Sequence, residues 1–143
     1  MEKSCIFYAS KYHLSLILLE YLKDSDTKKY TVSTFFENEI KDEINLLSSK
    51  YKIEIPNEIN FDNTKEIAKQ KIKPNENMIF IIEGEKNYMK EANEYIKKTI
   101  NKQNFNSVKI VNCFNYEQQR ENIESILEEN DKILFTSGAK TID

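Results

Sequence analysis

Apolar residues are distributed along this chain in short bursts, separated by charged stretches with helical spacing. Five bursts read as β-strands, over residues 5–9, 30–36, 78–83, 108–114 and 132–136. Their centres are continuously apolar or β-branched, the pattern of strands buried on both faces of a parallel sheet. After each of the first four the period becomes helical. Residues 11–23 carry Leu14, Ile17, Leu18, Tyr21 and Leu22 in one stripe, and Leu16 and Leu19 widen it beyond one core-facing face. Residues 39–49 place Ile40, Ile44 and Leu47 in register. Residues 86–101 give the clearest helical pattern, through Tyr88, Met89, Ala92, Tyr95, Ile96, Thr99 and Ile100. A fourth helix starts at Asn115, which pairs with Gln118 in a capping-box-like arrangement. Tyr116, Ile123, Ile126 and Leu127 are expected to face inward.

An irregular insert separates the second helix from the third strand. Tyr51, Ile53 and Ile55 alternate before Pro56, as in an extended edge segment. Asp62 or Asn63 is placed to cap a short helix through Ile67, Ala68 and Ile72, which Pro74 ends. Strands alternating with helices predict a single α/β domain over residues 1–143. The expected architecture is a three-layer sandwich with a mainly parallel five-stranded sheet and helices on both faces, RecA-like or flavodoxin-like.

Composition narrows the chemistry. The 143 residues include only two glycines, two prolines, two cysteines and one histidine, with net charge −3. A phosphate loop built on several glycines and a multi-histidine metal site within one chain are both excluded. Cys5 and Cys113 cannot form a disulfide framework of the small secreted kind. No apolar run approaches the roughly 20 residues of a membrane span, and the start of the chain does not read as a signal peptide. The expected location is cytoplasmic. Interspersed charges leave no nucleic-acid footprint, and Lys69, Lys71 and Lys73 read as a solvated surface.

In such folds ligands sit outside the carboxyl ends of the strands. Those ends supply a polar rim, and the expected ligand-binding residues are Ser10, Glu37, Glu83, Cys113, Asn115 and Tyr116. Tyr8, His13 and Tyr88 lie near them in sequence. No catalytic residue, cofactor or metal site is assigned. Glu83 and Glu85 flank Gly84 without a further acidic cluster, and Gly84 reads as a tight turn. Gly138-Ala139-Lys140-Thr141 contains a G-x-K-T string, but the glycines of a P-loop and the helix after it are missing. It reads as a polar turn. Cys5 lies inside an apolar strand, where cysteine behaves as a small hydrophobe and not as the nucleophile of His13. Tyr88, Met89 and Tyr95 read as core.

Two stretches resemble a known family. Cys5–Ser10, C-I-F-Y-A-S, is similar to the opening strand of the MEDS domain, the methanogen/methylotroph DcmR sensory domain. The segment from Val108 to Gly138 resembles that domain's closing strand, helix and strand, with Cys113, Phe114 and Asn115 in the region of its Cys-x-Tyr-Asp element. Ser4 stands near the family's opening histidine, and Asn130 and Asp131 replace a later His-Pro. Residues 37–74 show no likeness. The resemblance implies a RecA-like core without a working nucleotide motif, and a sensory role.

The expectation is a stand-alone regulatory or sensory module that binds a small ligand or a protein partner and does not hydrolyse nucleotides. One alternative is a small flavodoxin-like enzyme acting on a phosphorylated or nucleotide substrate. The other is a structural protein-interaction module. The broad apolar surface of the first helix predicts a homodimer through Leu16 and Leu19.

Overall fold

The computed structural model describes residues 1–54, 66–67 and 77–142. The elements run β1 (Glu2–Tyr8), α1 (Lys11–Leu22), a 3₁₀ segment (Ser25–Lys29), β2 (Thr31–Phe36), α2 (Lys41–Lys50), β3 (Asn77–Glu83), α3 (Lys86–Lys102) and β4 (Ser107–Asn115). Then follow α4 (Tyr116–Gln119), a second 3₁₀ turn (Arg120–Asn122), α5 (Ile123–Glu128), β5 (Lys132–Phe135) and β6 (Gly138–Thr141). All five expected strands are present, within three residues of the expected bounds.

The sheet order is β2-β3-β4-β1-β5-β6. The first five strands are mutually parallel, and β6 runs antiparallel to β5. A flavodoxin-like sheet has the order 2-1-3-4-5; here β4 lies between β1 and β3 instead. The sixth strand corrects one expectation. Gly138–Thr141 is not a terminal turn but the return strand of a tight hairpin, with Phe135 paired to Gly138. Lys140 therefore sits on an exposed edge strand with its Nζ 5.8 Å from the Phe135 ring centre, remote from any loop-to-helix phosphate cradle.

Side chains alternate across the sheet, and the two faces carry separate cores. Ile6, Tyr8, Val32, Phe36, Ile79, Ile81, Val111 and Cys113 pack against α1 and α2. Phe35, Met78, Phe80, Ile82, Val108 and Ile110 pack against Tyr88, Met89, Ala92 and Ile96 of α3. Three layers result. Ile67 joins the α3 side; Ile55, Pro56, the Asp62 or Asn63 cap, Ala68, Ile72, Pro74 and Lys69, Lys71 and Lys73 lie outside the described residues.

Helix α1 begins at Ser10, whose hydroxyl accepts the His13 N–H at 3.1 Å. Its wide apolar surface is absorbed within the chain. Leu14, Ile17, Leu18, Leu19 and Leu22 are all buried, and Leu16 is half-buried against the same core. The helix is flanked by α2 and by the β5–β6 hairpin as well as by the sheet. Leu19 is thus no interface residue, and the surplus that suggested a homodimer through α1 is largely used inside the chain. The fourth helix also differs from its pattern. It is broken into α4, a 3₁₀ turn and α5, and Tyr116 points outward at 43% exposure while Ile126 is buried. Tyr116 is the first residue after the Asn115 cap, so the face it occupies is set by the cap and not by the later stripe.

Candidate functional site

The carboxyl ends of β2, β3 and β4 are in register: Phe36 is opposite Glu83, and Glu83 opposite Cys113. One step further along, Tyr8 of β1 is opposite Asn115. Strand β1 leads through α1 to the far edge, whereas β4 leads the other way to β5. The chain therefore reverses direction at the β1–β4 boundary, the switch point at which open α/β sheets offer a crevice.

Glu83 is the centre of this rim. It is 1% exposed, on the sheet face that carries α1. Its Oε1 accepts the Asn38 backbone N–H at 3.0 Å, and its Oε2 accepts the Asn38 side-chain amide at 2.7 Å. The carboxylate thus ties the loop after β2 to the end of β3. Burial raises its pKa above the usual carboxylate range; the two Asn38 hydrogen bonds and Lys11 oppose the rise, while Glu37 adds to it. The backbone repeats the tie, because the Glu37 N–H donates to the Glu83 carbonyl at 3.0 Å. The Glu37 carboxylate in turn accepts the Glu85 N–H at 2.8 Å.

Gly84 makes this wiring fit. Its φ is +156°, and a Cβ there would come within 2.6 Å of the Tyr88 ring and 2.8 Å of Glu37 Cβ. The turn expected at Gly84 is therefore also a close approach, which only glycine permits. Around it, burial raises the pKa of the Tyr8 and Tyr88 hydroxyls, and the charge of Glu83 raises both further. Both tyrosines stay protonated, and the Tyr8 hydroxyl hydrogen-bonds to the acid.

The expected rim residues divide into two groups. Glu37, Glu83 and Cys113 come together beside Tyr8. Ser10, Asn115 and Tyr116 end the neighbouring strands, and two of them are engaged as helix caps. Ser10 caps α1, and the Asn115 side chain accepts the Gln118 N–H at 3.3 Å. Cys113 is fully buried, with its thiol pKa pushed well above the ordinary value by burial and by the Glu83 charge. Cys5 is likewise buried and raised to about 11 by burial. His13 does not act on it: His13 Nδ1 accepts the Ala9 N–H at 3.0 Å. Asn38, which holds the Glu83 carboxylate, is not among the expected ligand-binding residues. Nothing local marks it, because its role depends on a partner 45 positions away.

Among the described residues no three His, Cys, Asp or Glu side chains group as a metal site, and no helix is long and apolar enough to cross a membrane. No protein-family model, curated protein or solved structure matches the chain.

Proposed function

We propose that this chain is a cytoplasmic regulatory module of the sensory kind, which engages a small ligand or a protein partner at the carboxyl rim and does not hydrolyse nucleotides. One observation carries the reading: the groups at the rim able to do chemistry are committed to holding the rim together. Glu83 is held by Asn38, Glu37 by the Glu85 N–H, and His13 by the Ala9 N–H. Both thiols are buried with raised pKa values, so neither supplies a thiolate near neutral pH. Such a rim recognises by shape and hydrogen bonding. Tyr116 offers the exposed ring and hydroxyl at its open end. The resemblance of Cys5–Ser10 and of the segment from Val108 to Gly138 to MEDS domains supports a sensory role.

Two measurements test the proposal. Phosphate release from Mg·ATP or Mg·GTP is expected to equal the protein-free blank, and turnover abolished by Lys140→Ala would contradict it. A fragment screen followed by ¹⁵N NMR is expected to move Tyr116, Ser10 and Glu37 amides together. Hits that leave those amides unmoved would remove the rim as the site.

A further inference from the structure

We propose that the groove between α3 and the α4–α5 segment binds an elongated small-molecule anion carrying two or more phosphate or carboxylate groups. The groove lies over β4 and β1 with a volume of about 370 Å³, within the range of small-ligand sites. It occupies the face of the sheet opposite Glu83. The inference therefore goes beyond the rim reading and stands whether or not the rim binds anything.

Charge is the first ground. Lys86, Lys90 and Lys97 of α3 and Lys3 of β1 line the groove, with Glu129 the one acid among its described lining residues. Lys86, Lys90 and Lys97 recur at helical spacing on one face of α3, so the row extends about 16 Å along the axis at about 1.5 Å per residue. Ion pairs form instead at Lys23, Lys132 and Arg120. A protein of net charge −3 thus gathers four ammonium groups, without an ion pair among the described residues, against the single carboxylate of Glu129 around one concavity. Like charges so placed repel one another until a counter-charge enters.

Unmet donors are the second ground, and they are independent of the lysines. The Asn93 side chain donates to the Met89 carbonyl at 2.8 Å and to Asn112 Oδ1 at 2.9 Å. The Met89 carbonyl fixes which end of Asn93 is the amide nitrogen, and this in turn turns the Asn112 oxygen toward Asn93. The Asn112 Nδ2 is left without a partner on the groove lining, on a residue only 8% exposed. Gln119, 9% exposed on the opposite wall, repeats the arrangement: its Oε1 accepts from Asn122 at 3.3 Å and its Nε2 has no partner among the described residues. Both nitrogens open onto the groove and are free to meet a ligand. Two of the unmet groups are donors lying between ammonium groups and ask for negatively charged acceptors, while a third, the buried Asn130 Oδ1 on the same lining, is an acceptor and asks for a hydroxyl or protonated acid on the ligand.

Calorimetric titration of the full chain with sodium tripolyphosphate, and separately with citrate, tests the inference. At least one probe is expected to bind, with an affinity that weakens as salt is raised. The double charge reversal Lys90→Glu/Lys97→Glu is expected to weaken binding about tenfold or more. Lys28→Glu/Lys29→Glu, the same charge change at two exposed positions outside the groove, is expected to leave it within about twofold. Asn112→Leu, which removes a donor without altering charge, is expected to weaken binding while circular dichroism confirms the fold. No heat from either probe at about 10 mM would overturn the proposal. So would equal losses in the two double variants, or a single-stranded oligonucleotide that binds more tightly than tripolyphosphate.

Discussion

The carboxyl rim and the α3–α5 groove are both polar and both lie against β4, yet they are wired in opposite ways. At the rim a buried acid, Glu83, has both oxygens engaged by Asn38, and the next acid, Glu37, caps the Glu85 N–H. In the groove, Lys86, Lys90 and Lys97 have no ion pair among the described residues, Asn112 and Gln119 each keep one amide nitrogen unpaired, and Asn130 keeps its buried amide oxygen unpaired. A polar group satisfied inside the chain stabilises a conformation, whereas one left unsatisfied on a cavity wall is available to a ligand. Substitutions at the rim should therefore be read mainly as stability, and substitutions in the groove mainly as binding.

The comparison has a floor beneath it, the sheet itself, and the largest effect is expected there. Ile81 is fully buried between the rim and the centre of β3. Ile81→Asp places a carboxylate among apolar neighbours and should cost several kcal/mol, at least about 4, enough to leave little folded protein in a denaturant titration. At the rim, Gly84→Ala forces a methyl against Tyr88 and Glu37 at a positive φ. Its expected cost is about 1–3 kcal/mol, and a variant as stable as the parent would show that the rim wiring is loose. Glu83→Ala leaves the Asn38 N–H without its acceptor and should cost about 1–3 kcal/mol.

The rim also has a pH signature. The Glu83 pKa is raised in the folded state, so the folded chain holds a proton that the unfolded chain releases at lower pH. Stability from this group is fully present below the unfolded carboxyl pKa of about 4.3 and is lost as pH rises through the folded value. Glu83→Gln removes that slope, and Asn38 retains a partner by turning its amide. Urea midpoints followed from pH 4 upward should fall for the parent relative to the variant; parallel curves would show that the burial of Glu83 has no energetic consequence. The smallest effect on stability is expected in the groove. Lys90→Glu/Lys97→Glu should shift the urea midpoint by no more than about 0.5 kcal/mol equivalent, although it weakens anion binding strongly.

What could be read from the sequence follows the range of the interactions. The strands and α3 were legible because burial on two faces and a 3.6-residue stripe are local patterns. Glu83 was legible as a rim residue because it ends an apolar strand, and the Asn115 cap because its partner is three residues away. The β5–β6 hairpin was not, since Gly138–Thr141 is short, polar and exposed, with none of the alternation that marks a half-buried strand. Strand order was invisible because local sequence does not say which strand lies beside which. The excess apolar surface of α1 suggested a second chain, yet α2 and the terminal hairpin cover much of it. The groove was hidden for the same reason. The spacing of Lys86, Lys90 and Lys97 can be read along the helix, but Lys3, Asn112 and Gln119 reach them only through the fold.

The contrast between the two regions can be observed directly in ¹⁵N spectra of the intact chain as tripolyphosphate is added. The account predicts that the side-chain amide signals of Asn112 and Gln119 shift progressively and saturably, while the backbone amides of Asn38 and Glu85, held by the rim acids, stay in place. Movement of the Asn38 and Glu85 signals with the Asn112 and Gln119 side chains unchanged would contradict it.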